Sequence, residues 1–407
     1  MALIVQKFGG TSLATPEHIK RVASRVVEER KKGNELVVIV SAMGATTDEL
    51  IELSRKISRN PPARELDMLI ATGEQISSAL LSMAIHARGE KAVSLTGPQV
   101  GILTDSFHTK ARILKVNSKR IITELRKGNI VIVAGFQGTD YESNITTLGR
   151  GGSDTTAVAI AAALKADICE IFTDVDGVFT ADPRIVPEAK KLQSITYDEM
   201  LELASAGAKV LQSRSVEFAA KYNVKIHVRS SFHGKEGTIV MKEIESMESV
   251  LVRGVALEKN QAKISIDGVP DYPGVAAEIF EPLSKENINV DLIVQGAPDR
   301  EGKSEITFTV AREETAKVVK LMEKVKEKLG AGKVGCDKGV AKVSIVGVGM
   351  RTHPGVAARM FKALSREKIN IELISTSEIL ISCLVREEEG EKAIQALHKE
   401  FELERMQ

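Results

Sequence analysis

The chain has 407 residues, 43% of them hydrophobic and 4% aromatic, with no Trp, three Cys and a formal net charge of +1. At roughly 100–200 residues per domain the length holds two to four domains, and the balanced charge argues against a standing surface for nucleic acid or anionic membrane. Cys169, Cys336 and Cys383 are isolated, which fits reduced, cytoplasmic thiols; no apolar run approaches the roughly 20 residues that span a bilayer, and MALIVQKFGGTS reads as a strand, not a signal peptide.

From the N-terminus, short β-branched runs alternate with helix-length segments. The runs are Leu3–Phe8, Leu36–Ser41, Ala92–Leu95, Ile130–Gly135, Ile168–Asp174 and Val224–Val228, with Pro16–Lys31, Thr47–Ser58 and Asp154–Lys165 among the helices. Near-continuous Val, Ile, Leu and Ala suits strands buried on both faces. Residues 1–245 are therefore expected to form an α/β domain with a mostly parallel sheet covered on both sides. Ligands of such sheets bind at the carboxyl ends of the strands.

The first such end carries Lys7-Phe8-Gly9-Gly10-Thr11-Ser12. It reads either as a plain tight turn or as a loop whose N–H groups face phosphate, with Lys7 supplying a point charge. No G-x-x-x-x-G-K-[ST] is present, so the ordinary P-loop is disfavoured. Ser41-Ala42-Met43-Gly44, Thr46-Thr47 and Thr72-Gly73-Glu74-Gln75 also open helices; Thr47 and Glu74 read as caps or as contacts to a small polar substrate and its ammonium. Gly149-Arg150-Gly151-Gly152-Ser153-Asp154 has the composition of an anion-binding nest. In it Arg150 suits a carboxylate, and Asp154 is either an N-cap or the partner of a catalytic lysine. Thr173-Asp174 through Phe179 and Arg184 offers a ribose contact, a stacking face and a phosphate contact around a turn at Asp176-Gly177. Metal-ligand spacing, G-x-S-x-G and a G-x-G-x-x-G after a strand are all absent.

After about residue 240 the chain repeats itself. AKISIDGVPDYPGVAAEIFEPLSKENINVDLI (262–293) matches AKVSIVGVGMRTHPGVAARMFKALSREKINIELI (341–374), the second copy having two extra loop residues. Each copy reads strand, Pro-Gly turn, amphipathic helix, Ile-Asn turn and strand, then a further strand (Ser304–Ala311, Ile379–Arg386). Pro is expected in the first helical turn, where its missing N–H costs nothing, and Gly lets a ligand carboxylate approach the helix start. Glu387–Lys392 reads as a solvated turn.

Together the motifs resemble the aspartate kinase family of the amino-acid kinase superfamily, over essentially the whole chain. The carriers are KFGGTS (7–12), TTDEL (46–50), ATGEQ (71–75), TTLGRGGSD (146–154), TDVDGVFTADPR (173–184) and AGAKVLQSRS (206–215), with the repeats resembling two regulatory ACT domains. The resemblance implies a carbamate-kinase-like three-layer sandwich over 1–245 and ferredoxin-like α+β ACT domains at 246–335 and 336–407. It implies phosphorylation of the β-carboxylate of L-aspartate by MgATP in the cytoplasm, with no metal held by the protein itself. Lys7 and Asp154 would be catalytic. Phe8, Gly9, Gly10, Ser41, Thr173, Asp174, Phe179, Arg184 and Lys209 would join Lys7 around ATP; Thr47, Glu74, Arg150, Gly151, Gly152 and Ser153 would hold aspartate. Lysine or threonine would act at Asp271, Gly274, Val275, Ala276, Asn289, Gln295, Val356 and Asn370. The ACT domains would pair subunits, as a homodimer or as a heterotetramer with a shorter subunit started near Met247.

Phe179 stands where relatives often have Tyr, and Pro98 where Trp is frequent. The homoserine dehydrogenase half of bifunctional relatives is not expected after Gln407. Two rivals remain: a kinase for glutamate or N-acetylglutamate, and a non-catalytic amino-acid sensor.

Overall fold

The computed structural model describes residues 1–208, 210–243, 251–351 and 353–406, so Lys209 and Met247 lie outside the described residues. The main sheet has eight strands in the order Ser194–Thr196, Thr238–Met241, Ile226–Ser230, Ile168–Thr173, Leu3–Phe8, Glu35–Val40, Ile130–Ala134 and Ala92–Leu95. Its pairings are parallel except between Ile226–Ser230 and Thr238–Met241. The strand order reverses at Leu3–Phe8, which lies between Glu35–Val40 and Ile168–Thr173.

Side-chain alternation sorts the strands' residues onto two cores. Ile4, Phe8, Leu36, Val38, Val40 and Ile132 meet helices Pro16–Lys31 and Thr72–His86 on one face. Val5, Val37, Ile39, Val133 and Ile171 meet Gly152–Leu164 and Ser213–Tyr222 on the other. The result is the expected three-layer sandwich. Strand limits differ from expectation most at Val224. There Asn223 takes a left-handed turn (φ +52°) and the Val224 N–H returns to Ala219 O, so pairing begins at Ile226. One helical stretch, Ala63–His86, does have the length and mean hydropathy (1.3) of a membrane span, which the sequence reading passed over. Half of its apolar window is buried in the protein, Leu81 and Ile85 completely.

The repeats share a six-stranded antiparallel sheet, in the order Ile293–Gln295, Lys303–Val310, Gly254–Pro270, Val334–Val346, Leu380–Arg386 and Leu373–Thr376. The two long central strands serve both copies. Ile264–Ile266 pairs with Val334–Cys336 over the first copy's core, while Gly254–Glu258 pairs with Lys342–Val346 over the second's. Each copy carries a second helix that the sequence reading missed, Thr315–Leu329 and Gly390–Glu400. Glu387–Lys392 is thus a 3₁₀ turn running into a helix, not a solvated turn. Its acidic start obscures an apolar face at Ala393, Ile394 and Leu397, all buried.

The Pro-Gly turns also differ from expectation. Gly274 and Gly355 are the N-caps, at φ +105° and +94°, so Pro273 and Pro354 precede the helices instead of entering them. Glycine is needed there for the left-handed backbone, and nothing lies within 4 Å of where a Cβ would stand. Both caps are open on their outer side.

Candidate active site

Lys7 follows Val5 on the sheet face that meets helix Gly152–Leu164. Its Nζ stands 2.6 Å from Asp154 Oδ1, with both side chains only about a tenth exposed (12% and 11%). The N-cap of that helix is Gly151, at φ +70° and without a side-chain cap bond. Asp154 is therefore not a cap: it sits in the first turn and its carboxylate is committed to the lysine.

Backbone surrounds this pair. The Gly9 N–H donates to Phe172 O (3.3 Å) and the Gly44 N–H to Gly10 O (3.0 Å). A Cβ on Gly10 would stand 2.9 Å from Ala42 O, so only glycine lets the two loops close. Ser41 continues the second strand's end, its N–H donating to Phe8 O (3.1 Å), and Thr47 is half-buried in the first turn of the next helix. The Phe8 side chain faces away, wholly buried and stacked on Phe172 at 4.6 Å. Only its backbone can serve the site.

Glu74 enters from helix Thr72–His86, which approaches so closely that a Gly73 Cβ would be 2.8 Å from Ala42 Cβ. Its Oε1 accepts the Ala42 N–H (3.0 Å), while the buried Oε2 has no hydrogen-bond partner among the described residues. Burial raises its pKa from an ordinary 4.5 to about 7, against the opposing pull of the Ala42 N–H. A carboxylate held this way has an unmet need for a cation.

The glycine loop lies opposite. Gly149 and Gly151 take positive φ (+78° and +70°); a Gly151 Cβ would run into Gln212, and a Gly152 Cβ into Phe136. Ser153 is buried, whereas Arg150 is exposed and has no ion pair among the described residues.

The candidate nucleotide residues are less uniform. Thr173 and Asp174 end their strand, with the Thr173 hydroxyl on Asp174 Oδ1 (3.1 Å). Phe179 is half-buried and bridges to Lys191, and Arg184 is turned onto Asp182 (2.7 Å) in an exposed fork. Sequence reasoning missed three features here. Ser231 meets Ser12 at 2.5 Å, tying the end of strand Ile226–Ser230 to the first loop. Asp67 is wholly buried beside Thr147. Thr180 Oγ1 lies 2.9 Å from His398 Nε2 and Thr180 O accepts the Val255 N–H (2.8 Å), while Ala181 and Val186 enter the second repeat's core. No local pattern in VFTADPR marks that docking.

The amino acid kinase family matches residues 2–230, and the ACT domain matches residues 264–325 and 343–401. An aspartate kinase of Pseudomonas putida is 54% identical over 405 residues, covering 99% of this chain and 98% of that one. The chain belongs to the aspartate kinase family. Like its relatives it is an ATP-dependent kinase acting through the amino acid kinase domain. Two crystal structures of Escherichia coli aspartokinase III are also similar over 98% of this chain and 99% of theirs. The complex with aspartate and ADP (R-state) is 26% identical with a TM-score of 0.84; that with lysine and aspartate (T-state) is 27% identical with a TM-score of 0.76.

Among the expected effector positions, Asp271, Gly274, Ala276, Asn289, Gln295 and Asn370 are exposed. Val275 and Val356 are buried in their repeats' cores, directly after the open glycine caps, and the Val275 N–H donates to Tyr272 O (3.3 Å).

Proposed function

We propose that this aspartate kinase transfers the γ-phosphoryl group of ATP to the β-carboxylate of L-aspartate, giving 4-phospho-L-aspartate and ADP. The observation that carries the reading is the Lys7–Asp154 pair at the sheet's switch point, with adjoining segments bearing the unbonded Oε2 of Glu74 and an Arg150 that has no ion pair among the described residues. A carboxylate is ionised at neutral pH, so the acceptor oxygen attacks Pγ without a general base. The bond from Pγ to the oxygen bridging it to the β-phosphate breaks, and ADP leaves with that electron pair. No proton moves.

What such a transfer needs is alignment and charge neutralisation. Lys7 faces the transferring group and Asp154 holds the ammonium in place. Gly9, Gly10 and Ser41 bring the backbone close to the nucleotide side, the Gly9 and Ser41 N–H groups being held by Phe172 O and Phe8 O, and Thr173, Asp174 and Phe179 border the nucleotide. Glu74 takes the substrate ammonium, Arg150 takes the α-carboxylate, and Thr47 and Ser153 add hydroxyls. Among the described residues no group of three or more His, Cys, Asp or Glu forms a metal cage. Mg²⁺ would be carried on the nucleotide phosphates, whose charge it would offset, and Asp174, exposed where its strand ends, is the acidic side chain that would face it.

The reaction opens lysine, threonine, methionine and diaminopimelate synthesis, in the cytoplasm. Lysine, threonine or both act at the glycine caps of the ACT repeats, which also join subunits as a homodimer or with a shorter ACT-only chain. The docking of Thr180–Val186 onto the second repeat supports a direct route from effector to nucleotide segment. ADP release is the test: it should require L-aspartate, be at least tenfold slower with glutamate, and fall when lysine, threonine or their mixture is added. Equal turnover of glutamate, or indifference to every one of these effectors, would overturn the substrate or the regulatory half respectively.

A further inference from the structure

Asp67 lies on helix Ala63–Ile70, one helix before Glu74, and its side chain is wholly buried. The Thr109 N–H donates to both carboxylate oxygens at 3.0 Å, the Thr147 hydroxyl donates to Oδ1 at 2.5 Å, and His108 Nδ1 is 2.7 Å from Oδ2. No Lys or Arg pairs with it among the described residues. A carboxylate this deep is costly unless its acceptor capacity is used, and here it is used on two segments from elsewhere in the chain.

Both segments support the glycine loop. Thr147 leads directly into Leu148 and Gly149. Thr109 takes φ +67°, a left-handed backbone unusual for a β-branched residue, and its carbonyl lies 3.1 Å from where a Gly149 Cβ would stand. Asp67 thus holds a strained turn that forms the floor under Gly149. From the other side Arg214 grips the same assembly, Nη1 on Leu148 O (3.0 Å) and Nη2 on Ala111 O (2.8 Å). The loop is fixed at its base while Arg150 at its tip stays free.

We propose that Asp67 is a positioning residue for the amino-acid substrate. Its carboxylate sets the distance between the Arg150 loop and the helix bearing Glu74, so that both ends of one amino acid are met together. This rests on the aspartate reading given above. The role predicts a selective defect, because among the described residues none of these hydrogen bonds reaches the Lys7 loop or the nucleotide segment.

The test uses the full-length chain with Asp67→Ala and Thr147→Val, measuring KM for L-aspartate, KM for MgATP, kcat and thermal unfolding. Asp67→Ala should raise the aspartate KM about tenfold and Thr147→Val about threefold, with the MgATP KM within about twofold of wild type. Asp67→Asn, which keeps one acceptor oxygen, should fall between wild type and Asp67→Ala. Lowered unfolding temperature with unchanged aspartate KM, or equal rises in both KM values, would make Asp67 a purely structural residue and overturn the proposal. Should Asp67→Ala not fold, Thr147→Val decides alone, since it removes one hydroxyl at nearly constant volume. Wild-type turnover that ignores aspartate would fell the substrate reading and this proposal with it; normal wild-type turnover with unaltered variants fells only the positioning role.

Discussion

Replacing Lys7 by Ala should lower kcat by about a thousandfold or more, with the aspartate KM changed far less. Removing one preorganised charge donor from a phosphoryl or acyl transition state costs about 10²–10³ in rate. Here the loss compounds. Asp154 is 8% exposed and would be left unpaired, its negative charge facing the phosphates instead of being cancelled. Asp154→Asn should be milder, about a hundredfold, since the ammonium remains but loses its anchor. Lys7 sits at the end of a strand whose ladder is made by backbone groups, so circular dichroism should report an intact fold in both variants. A Lys7→Ala enzyme within tenfold of wild type would mean that the pair at the switch point is structural.

Glu74→Gln should have the second-largest effect, and in two opposite directions. Its folded-state pKa of about 7, against an ordinary 4.5, means that the folded chain binds the proton more tightly than the unfolded one. The stability this contributes is full below about 4.5 and is lost as pH rises through about 7, on the order of 3 kcal/mol in all. Gln keeps the Oε1 acceptor for the Ala42 N–H and carries no charge. The variant should therefore unfold at higher temperature than wild type at pH 8, and the two should converge near pH 4.5. Binding runs the other way. An ammonium substrate needs the ionised carboxylate, so wild-type kcat/KM for aspartate should climb with pH and level off above about 7. The Gln variant should lose both the climb and about a hundredfold of kcat/KM. A variant less stable at pH 8, with the pH profile intact, would remove Glu74 from the substrate site.

Much of this was legible in the sequence, for identifiable reasons. The catalytic layer shows because strands buried on both faces leave near-continuous Val, Ile and Leu, and because their ends carry glycine where backbones must touch, as at Gly10 and Gly151. Lys7, Glu74 and Asp154 stand in such motifs, though nothing in the residues alone could decide whether Asp154 caps its helix. The left-handed Gly151 decides it. The repeat was legible as two copies, but their interleaving was not, because one strand serving two cores has the same local pattern as a strand serving one. Asp67 and Thr180 stayed hidden for a related reason. Their partners, Thr109 and Thr147 in one case and His398 in the other, are distant in sequence, and a buried polar residue carries no periodic signature. Arg184 shows the reverse: a plausible phosphate ligand by motif, it is turned onto its neighbour Asp182.

The coupling proposed between the two halves would run through Thr180. One short segment carries Phe179, proposed above to border the nucleotide, and Ala181 and Val186, which pack in the second repeat's core, so a rearrangement of that repeat has to move the segment or break the packing. Such a two-way contact is what an effector needs to bias a distant site.

The central claim is that the site makes an acyl phosphate on the side-chain carboxylate of aspartate, and trapping the product tests it most directly. With MgATP, L-aspartate and hydroxylamine, the wild-type chain should yield aspartate β-hydroxamate in equal amount to ADP. ADP formed without hydroxamate, or glutamate hydroxamate formed at the same rate, would contradict it.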